Sequence, residues 1–259
     1  MQVQVRAVTD IGLRRAQNED SHGIWQPEAA DERARRGVLL VVADGMGGAR
    51  AGEVASRLAV ESVLESYGRD PDAPLVALQR AFERANRAVH TESRVHPERG
   101  GMGTTLTALV LRERDAFIAH VGDSRVYRVR GGRIEQLTAD HSLVAQLVRE
   151  RQLTPEEARV DPRRNVVTRS VGVGPVVEVD LLRLDGPPAE GDVFLLATDG
   201  LHGVMTDDEI AAQAADPDPD RVGARLVALA LERGGPDNVT VLVAHVGAAA
   251  PHPGAPARG

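Results

Sequence analysis

Short apolar segments joined by turns of only a few residues constrain the fold of this chain more than any other feature. The tetrapeptides RERD and RGGR each follow directly on such a segment. Parallel strands need a crossover of about a dozen residues or more, so connections this short indicate antiparallel hairpins. Long segments of helical periodicity occur between the hairpins, which favours helices packed outside antiparallel sheets. We therefore expect an α+β fold.

The spacing of the apolar residues locates the individual elements. Predicted strands cover Val3–Val8, Val38–Ala43, Thr104–Leu111, Ala116–Val121, Arg125–Val129, Val193–Ala197 and Val239–His245. Predicted helices cover Ala51–Tyr67, Pro74–Ser93, Leu143–Arg151, Pro155–Arg159, Asp207–Ala215 and Arg221–Glu232. In the first of these helices, one buried stripe is expected from Val54, Leu58, Val63 and Leu64.

Composition narrows the chemistry that is available to the chain. It has 259 residues without a Pro/Gly/Ser-rich linker inside them, so one domain is expected. Cysteine is absent and every basic residue is arginine, which excludes disulfides, thiolate metal sites, a cysteine nucleophile and a lysine Schiff base. The formal charge of -7 predicts no general affinity for nucleic acid or for anionic membranes.

The two ends of the chain carry further expectations. The N-terminal segment MQVQVRAVTD lacks the pattern of a signal peptide, and no apolar run is long enough to span a membrane, so a soluble, monomeric, cytoplasmic protein is expected. The segment 247–259 is rich in Pro and Ala and is expected to be a disordered tail.

Single aspartates follow or precede apolar strand patterns at several places. Asp44 follows the aliphatic run Val38–Val42, Asp199 follows another such run, and Asp237 lies just before a third. Asp123 lies in a short turn between two predicted strands. Carboxylates gathered at one rim repel each other unless a cation shares them, and hard divalent ions prefer oxygen ligands. A metal site explains the whole set, although any one of these residues taken alone is better explained as an ordinary turn residue, and Asp44 also as a helix cap.

The segment TDIGLRRAQNEDS places an arginine beside further acids, Glu19 and Asp20. A guanidinium can hold phosphate oxygens in a bidentate manner, which would give Arg15 a role beside a metal site. The alternative is a simple surface pair between Arg15 and Glu19 at helical spacing.

Taken in order, the motifs of the chain resemble those of one enzyme family. They read TDIGLRRAQNED, VVADGMGG, GMGTTLTALVL, VGDSRVY, LTADHSL, RNVVTRSVG, LLATDGL and GGPDNVTVLV. From about Thr9 to Val243 they are similar in order and spacing to the metal-dependent type 2C serine/threonine protein phosphatases (the PPM family), particularly the bacterial members. The resemblance implies a four-layer αββα sandwich of two antiparallel β-sheets flanked by helices, as a catalytic domain over residues 1–246.

The resemblance also implies roles for individual residues. Asp44 would bridge two Mn2+ or Mg2+ ions, with the Gly45 carbonyl on the second ion and Asp199 and Asp237 completing the first site. Asp123 would help to hold a third, weaker ion. Arg15 would bind the substrate phosphate. Glu19 and Asp20 are expected near the second metal, through water or hydrogen bonds.

Two features of the family pattern concern the substrate. The resemblance implies a mobile flap after the DHS motif, about residues 142–173. Animal relatives commonly carry a histidine after the DG pair, proposed as the general acid, where this chain has Met46. His202 is a candidate substitute on its position in the sequence, against the alternative of an ordinary hydrogen-bonded histidine. His141 is interpreted as structural, and the arginines of VDPRRNVVTRS as solvated surface charge.

The leading hypothesis is a phosphatase of phosphoserine and phosphothreonine in proteins, opposing Ser/Thr kinases. Two alternatives stay open at this point. One is a dedicated phosphatase of a partner-switching anti-sigma regulator. The other is a pseudophosphatase that binds phosphoproteins without hydrolysing them, although such a chain would be expected to lose its metal-binding aspartates and this one retains them.

Overall fold

The computed structural model of the protein describes residues 1–47 and 51–248. Two antiparallel sheets are stacked face to face. The first has five strands in the order β1-β11-β10-β7-β8. Its strands are β1 Gln2–Asp10, β7 Arg125–Arg130, β8 Arg133–Gln136, β10 Val193–Ala197 and β11 Val239–Gly247.

The second sheet has six strands, with the order β2-β3-β5-β6-β9 and a short β4 that also pairs with β3. Its strands are β2 Asp20–Trp25, β3 Val38–Met46, β4 Gly103–Thr104, β5 Leu106–Leu111, β6 Ala116–Val121 and β9 Asp180–Arg183. The hairpins β5–β6 and β7–β8 are joined through RERD and RGGR, which confirms the antiparallel prediction.

Helices cover both outer faces of the stacked sheets. They are α1 Ala30–Arg36, α2 Ala51–Arg69, α3 Pro74–Val95, α4 Leu143–Arg149, α5 Pro155–Val160, α6 Asp199–His202, α7 Asp207–Gln213 and α8 Pro219–Glu232. The pair α2 and α3 packs on the second sheet, whereas α7 and α8 pack on the first. The predicted four-layer αββα sandwich is confirmed. No helix in residues 1–47 and 51–248 is both long and apolar enough to cross a membrane.

Strand β3 shows why one segment of this sequence is apolar without interruption. Val38, Leu40 and Val42 point into the layer between the two sheets, where they meet side chains such as Phe194. The alternate residues, Leu39 among them, point to the layer beneath α2 and α3. Successive side chains of a strand face opposite ways, so a strand that is covered on both faces needs apolar residues at every position.

Several details differ from the sequence prediction. The segments β2, α1, β8, β9 and α6 were not anticipated, because they are short and lack a clear apolar period. In α2 the fully buried face consists mainly of small residues such as Ala55 and Ala59, while Leu58 and Leu64 pack at its flank. Small side chains let α2 lie close to the sheet. The predicted tail falls outside the described residues from position 249 onward, as does Gly48.

Candidate metal centre

The acidic residues singled out in the sequence meet at one end of the sandwich, here called the acidic centre (Asp20, Asp44, Asp123, Asp199 and Asp237). Asp20 and Asp44 are direct partners across the β2–β3 ladder. Asp44 and Asp199 lie near enough for each carboxyl to shift the pKa of the other. Asp123 occupies the turn between β6 and β7, as predicted, and Asp237 lies two residues before β11.

The backbone of Asp44 is fixed on both sides. Its N–H donates to Oγ1 of Thr105 at 2.8 Å, and its carbonyl oxygen accepts from Thr105 N and Thr104 Oγ1, both at 2.9 Å. Asp44 therefore lies within β3, which continues to Met46 by pairing with β4, and not beyond the end of the strand. The sequence did not reveal this extension because β4 has only two residues.

Contacts between loops position the other carboxylates relative to Asp44. Thr198, which precedes α6, donates from Oγ1 to Asp20 Oδ2 at 2.8 Å. The Asn238 side chain accepts from Glu19 N at 2.8 Å and donates to the carbonyl oxygens of Ile11 and Gln17. Asn238 thereby ties the N-terminal loop to the start of β11. The sequence analysis did not single out Asn238, because these contacts join it to residues more than 200 positions away in the chain.

Position 45 requires glycine because the backbones of two other segments approach it closely. A Cβ atom there would lie 2.1 Å from the Gly52 carbonyl oxygen and 2.6 Å from that of Glu19. Since real atoms cannot approach so closely, only glycine fits between α2 and the start of β2. The Glu19 carbonyl also accepts the Gly45 N–H at 3.1 Å. The Glu19 carboxylate lies against Gly52, where a Cβ would be 2.7 Å from Oε1.

The electrostatics of the acidic centre are unfavourable without a counter-charge. Burial raises the pKa of Asp44 well above its usual value, and the charges of Asp20, Asp199, Asp123 and Asp237 raise it further. Burial likewise raises the pKa values of Asp20 and Asp123 to about 7, and burial together with Asp237 raises that of Asp199 to about 6. Carboxyls arranged in this way hold protons near neutral pH unless a cation replaces them.

Two orphaned oxygens show that the residues fit a cation. Asp20 Oδ1 and Asp199 Oδ1 are buried without a hydrogen-bond partner, which is costly for a polar atom. Across the described ranges, no three acidic or histidine side chains converge tightly enough to enclose an ion by themselves. Backbone carbonyls and water would have to complete the coordination, as hard ions such as Mg2+ commonly require.

Arg15 lies at the edge of the acidic centre. Its Nη2 donates to Asp237 Oδ2 at 2.7 Å, and this bond raises the pKa of the guanidinium. Arg15 does not pair with Glu19 at helical spacing, because the segment between β1 and β2 is a loop. The side chain is 46% exposed, so part of the guanidinium remains accessible from solvent.

A cavity of about 530 Å3 opens beside the acidic centre. The cavity is lined by Asp123 and Asp199 and by side chains of the segment 142–173, including Val144 and Arg164. Arg164 is near enough to lower the pKa of Asp199. Arg164 could not be distinguished in the sequence from the other arginines of the segment, since its position beside Asp199 depends on how the segment folds.

The two histidines near the centre support the backbone. Nε2 of His202 donates to the Asp123 carbonyl oxygen at 3.1 Å, and burial lowers its pKa to about 3. A neutral ring held in this way positions Asp123 and does not favour the hypothesis that His202 is the proton donor. His141 accepts the Gly122 N–H at Nδ1 and donates from Nε2 to Asp180, which agrees with a structural interpretation.

Comparison with known proteins identifies the class to which this arrangement belongs. Residues 14–229 match the family model described as Protein phosphatase 2C. The chain is 40% identical over 241 residues to the serine/threonine protein phosphatase PstP of Mycobacterium tuberculosis, covering 93% of this chain. It spans 44% of the length of that relative. The chain belongs to the protein phosphatase 2C family, as the motifs predicted.

Solved structures agree with this assignment. The catalytic domain of PstP in complex with two manganese ions superposes with a TM-score of 0.82 at 37% identity, covering 95% of this chain and 99% of that one. The phosphatase Stp1 of Staphylococcus aureus gives a TM-score of 0.86 at 32% identity, covering 96% of each chain.

Proposed function

We propose that this chain hydrolyses phosphoserine and phosphothreonine in proteins, using divalent cations held at the acidic centre. The observation that carries the proposal is the pair of buried, orphaned oxygens on Asp20 and Asp199, set among carboxylates that repel one another. The manganese in the PstP catalytic domain supports Mn2+ as one suitable ion, and Mg2+ has the same preference for oxygen.

The proposed ligands follow the positions in the fold. Asp44 would be shared by two ions, the Gly45 carbonyl would help to hold the second, and Asp199 and Asp237 would help to hold the first. Asp123, which lines the cavity, would help to hold a weaker third ion. Glu19 and Asp20 would act near the second ion through water or hydrogen bonds.

Divalent cations in such a site acidify water and neutralise charge on phosphoryl oxygens. In the overall reaction, water forms a bond to phosphorus, the ester P–O bond breaks, and the serine or threonine oxygen leaves with a proton. Arg15 would hold phosphoryl oxygens through its exposed N–H groups. Because Met46 has no acidic proton, water is the proposed proton donor to the leaving oxygen.

The proposed substrates are phosphorylated proteins, including Ser/Thr kinases and the substrates of those kinases, so the chain would oppose the kinases. The cavity wall formed by the segment 142–173 supports its proposed role as a flap over the bound phosphopeptide. We further propose that the protein acts as a cytoplasmic monomer.

The decisive test is phosphate release from a phosphothreonine peptide by the purified chain, with Mn2+, with Mg2+ and with a chelator. Turnover that requires either ion supports the proposal. A matched Asp199→Asn variant should lack turnover. Binding of the peptide without phosphate release would favour a pseudophosphatase instead, and activity confined to a phosphorylated anti-sigma regulator would favour the dedicated alternative.

A further inference from the structure

A second charged cavity lies at the opposite end of the six-stranded sheet. It has a volume of about 410 Å3 and is lined by Arg35, Arg36, Arg112 and Arg183, here called the arginine pocket. Arg36 lies two residues before β3 begins, and Arg112 directly follows β5. Asp44 is six positions beyond Val38 along β3, so the pocket is roughly 20 Å from the acidic centre at the rise of an extended strand.

The carboxylates that line the arginine pocket are already engaged. Asp115 accepts from Arg112 at 2.7 Å and from Arg183. Asp72 accepts from Arg80, outside the pocket, at 2.6 Å. An excess of positive charge therefore remains in one cavity of a chain whose formal charge is -7.

Arg36 is the most informative of the four arginines. The residue is 6% exposed, and in the described part of the chain no carboxylate lies within 4.0 Å of its guanidinium. It donates to the Tyr67 carbonyl oxygen and lies 4.7 Å from the ring centre of Tyr67 and 5.6 Å from that of Trp25. Aromatic faces offset part of the cost of burying a cation, but a buried charge is normally completed by an anion.

The start of α3 faces the same cavity. Pro74 occupies the first turn, Ala73 provides no side-chain cap, and the first turn contains no acidic residue. Leu75 lines the cavity from this first turn. The N-terminal end of a long helix adds a partial positive charge and free N–H donors, both of which favour an anion.

We propose that the arginine pocket binds a dianionic phosphoryl group, either as free phosphate or as the phosphate of a small organic molecule. Guanidinium groups recognise phosphoryl oxygens through paired hydrogen bonds. Leu75 and the Phe117 ring, which Arg112 covers at 5.2 Å, provide an apolar wall for an organic substituent. This proposal is independent of the proposed hydrolysis at the acidic centre.

Trp25 makes the arginine pocket directly observable. It is the single tryptophan of the chain, and it contacts Arg36. The experiment is a fluorescence titration of the metal-loaded chain with inorganic phosphate, with phenylphosphonate, and with chloride at matched ionic strength. A saturable change with phosphate or phenylphosphonate, and none with chloride, is expected. Tighter binding of phenylphosphonate would identify a phosphorylated organic molecule as the source, and tighter binding of phosphate the free ion.

Substitutions test whether the fluorescence change comes from binding in the arginine pocket. The double variant Arg35→Ala/Arg183→Ala removes two exposed arginines of the pocket and should weaken binding about tenfold or more. The control Arg221→Ala/Arg225→Ala removes two equally exposed arginines of α8 and should bind as the wild type does. Arg15→Ala should also keep the fluorescence change. An absent change, a change reproduced by chloride, or undiminished binding by the Arg35/Arg183 variant would overturn the proposal.

Discussion

Asp140 and Asp192 differ from the acidic centre in what surrounds each carboxylate. Asp192 is 1% exposed and accepts two hydrogen bonds of 2.6 Å from Arg130. Asp140 is held by Arg125, which lowers its pKa although burial acts in the opposite direction. At the acidic centre, Asp44 meets other aspartates, and its pKa is raised. Asp140 and Asp192 are thus each paired with an arginine, whereas the carboxylates of the acidic centre lack enough positive charge around them.

The two environments have different consequences for the stability of the folded chain. A buried carboxylate with an arginine partner contributes to folding without help, whereas a group of buried carboxylates costs stability until a ligand arrives. Only the second arrangement needs a cation.

The largest effect is expected for neutralising the acidic centre. Asp44→Asn or Asp199→Asn should lower kcat by about a thousandfold or more, ~4 kcal/mol of barrier. The same change should raise the Tm of the metal-free chain by about 2–4 °C, because a neutral amide avoids the cost of burying or protonating a carboxylate on folding. Steady-state kinetics and calorimetry check the two effects. Activity within about tenfold of wild type would remove the basis for the metal assignment.

Arg15 links the two kinds of carboxylate, because it is an arginine paired with a member of the acidic centre. Arg15→Ala should reduce kcat/KM by about 10- to 100-fold, mainly through KM, as phosphoryl oxygens lose a charged donor. Metal stoichiometry measured by calorimetry should stay unchanged. Unaltered kinetics on both a small substrate and a phosphopeptide would leave Arg15 as a surface partner of Asp237 only.

The residues of the acidic centre can be predicted from the sequence more completely than the groups around it. Asp44, Asp199 and Asp237 were recognisable because each adjoins an apolar strand, and strand ends of one sandwich come together in space. The importance of Arg164 and of the arginine pocket could not be recognised in the sequence, since it depends on which residues distant in the chain lie near these arginines without pairing with them. The short strands β2 and β9 were missed for a related reason: their residues are held by neighbouring strands and not by an apolar pattern of their own.

The arginine-paired carboxylates should respond in the opposite sense to the acidic centre. Asp192→Asn removes the charge that Arg130 contacts and should lower the free energy of unfolding by about 2 kcal/mol. It should leave kcat unchanged, because Asp192 is remote from the cavity that adjoins the acidic centre. Denaturant unfolding and a kinetic assay on the same preparation test both parts. A stabilised Asp192→Asn variant would show that the two kinds of carboxylate do not differ as described.

The pH dependence of stability tests the raised pKa of Asp123. An unfolded aspartate titrates near its ordinary value of about 4, whereas the pKa of Asp123 in the folded chain is about 7. Between these values the native state binds more protons, so this group's contribution to stability falls as the pH rises. In the absence of metal, the free energy of unfolding of the Asp123→Asn variant should therefore increase relative to that of the wild type from pH 4 to 7. Above pH 7 the difference should stay constant. The titrations of His202 and His120 contribute to the stability of both proteins and cancel in the difference between their unfolding free energies. A difference that does not change with pH would contradict the raised pKa of Asp123.

The smallest expected effect concerns the leaving group. With Met46 at the end of β3 and His202 bonded to the Asp123 carbonyl, neither side chain offers a proton to the leaving oxygen. Turnover should then favour p-nitrophenyl phosphate, whose leaving group needs little protonation, over a phosphothreonine peptide.

Two variants examine this proton directly through the ratio of the two kcat values. Met46→His introduces an imidazole with an ordinary pKa of about 6.5 and should raise phosphopeptide turnover about threefold at pH 6–7, with little change for p-nitrophenyl phosphate. Nearby cations would lower that pKa, which limits the gain. His202→Asn should slow both substrates equally, because it disturbs the loop that carries Asp123 and leaves proton transfer alone. A loss confined to the phosphopeptide would instead identify His202 as the acid, and the buried neutral ring would have to become a donor during turnover.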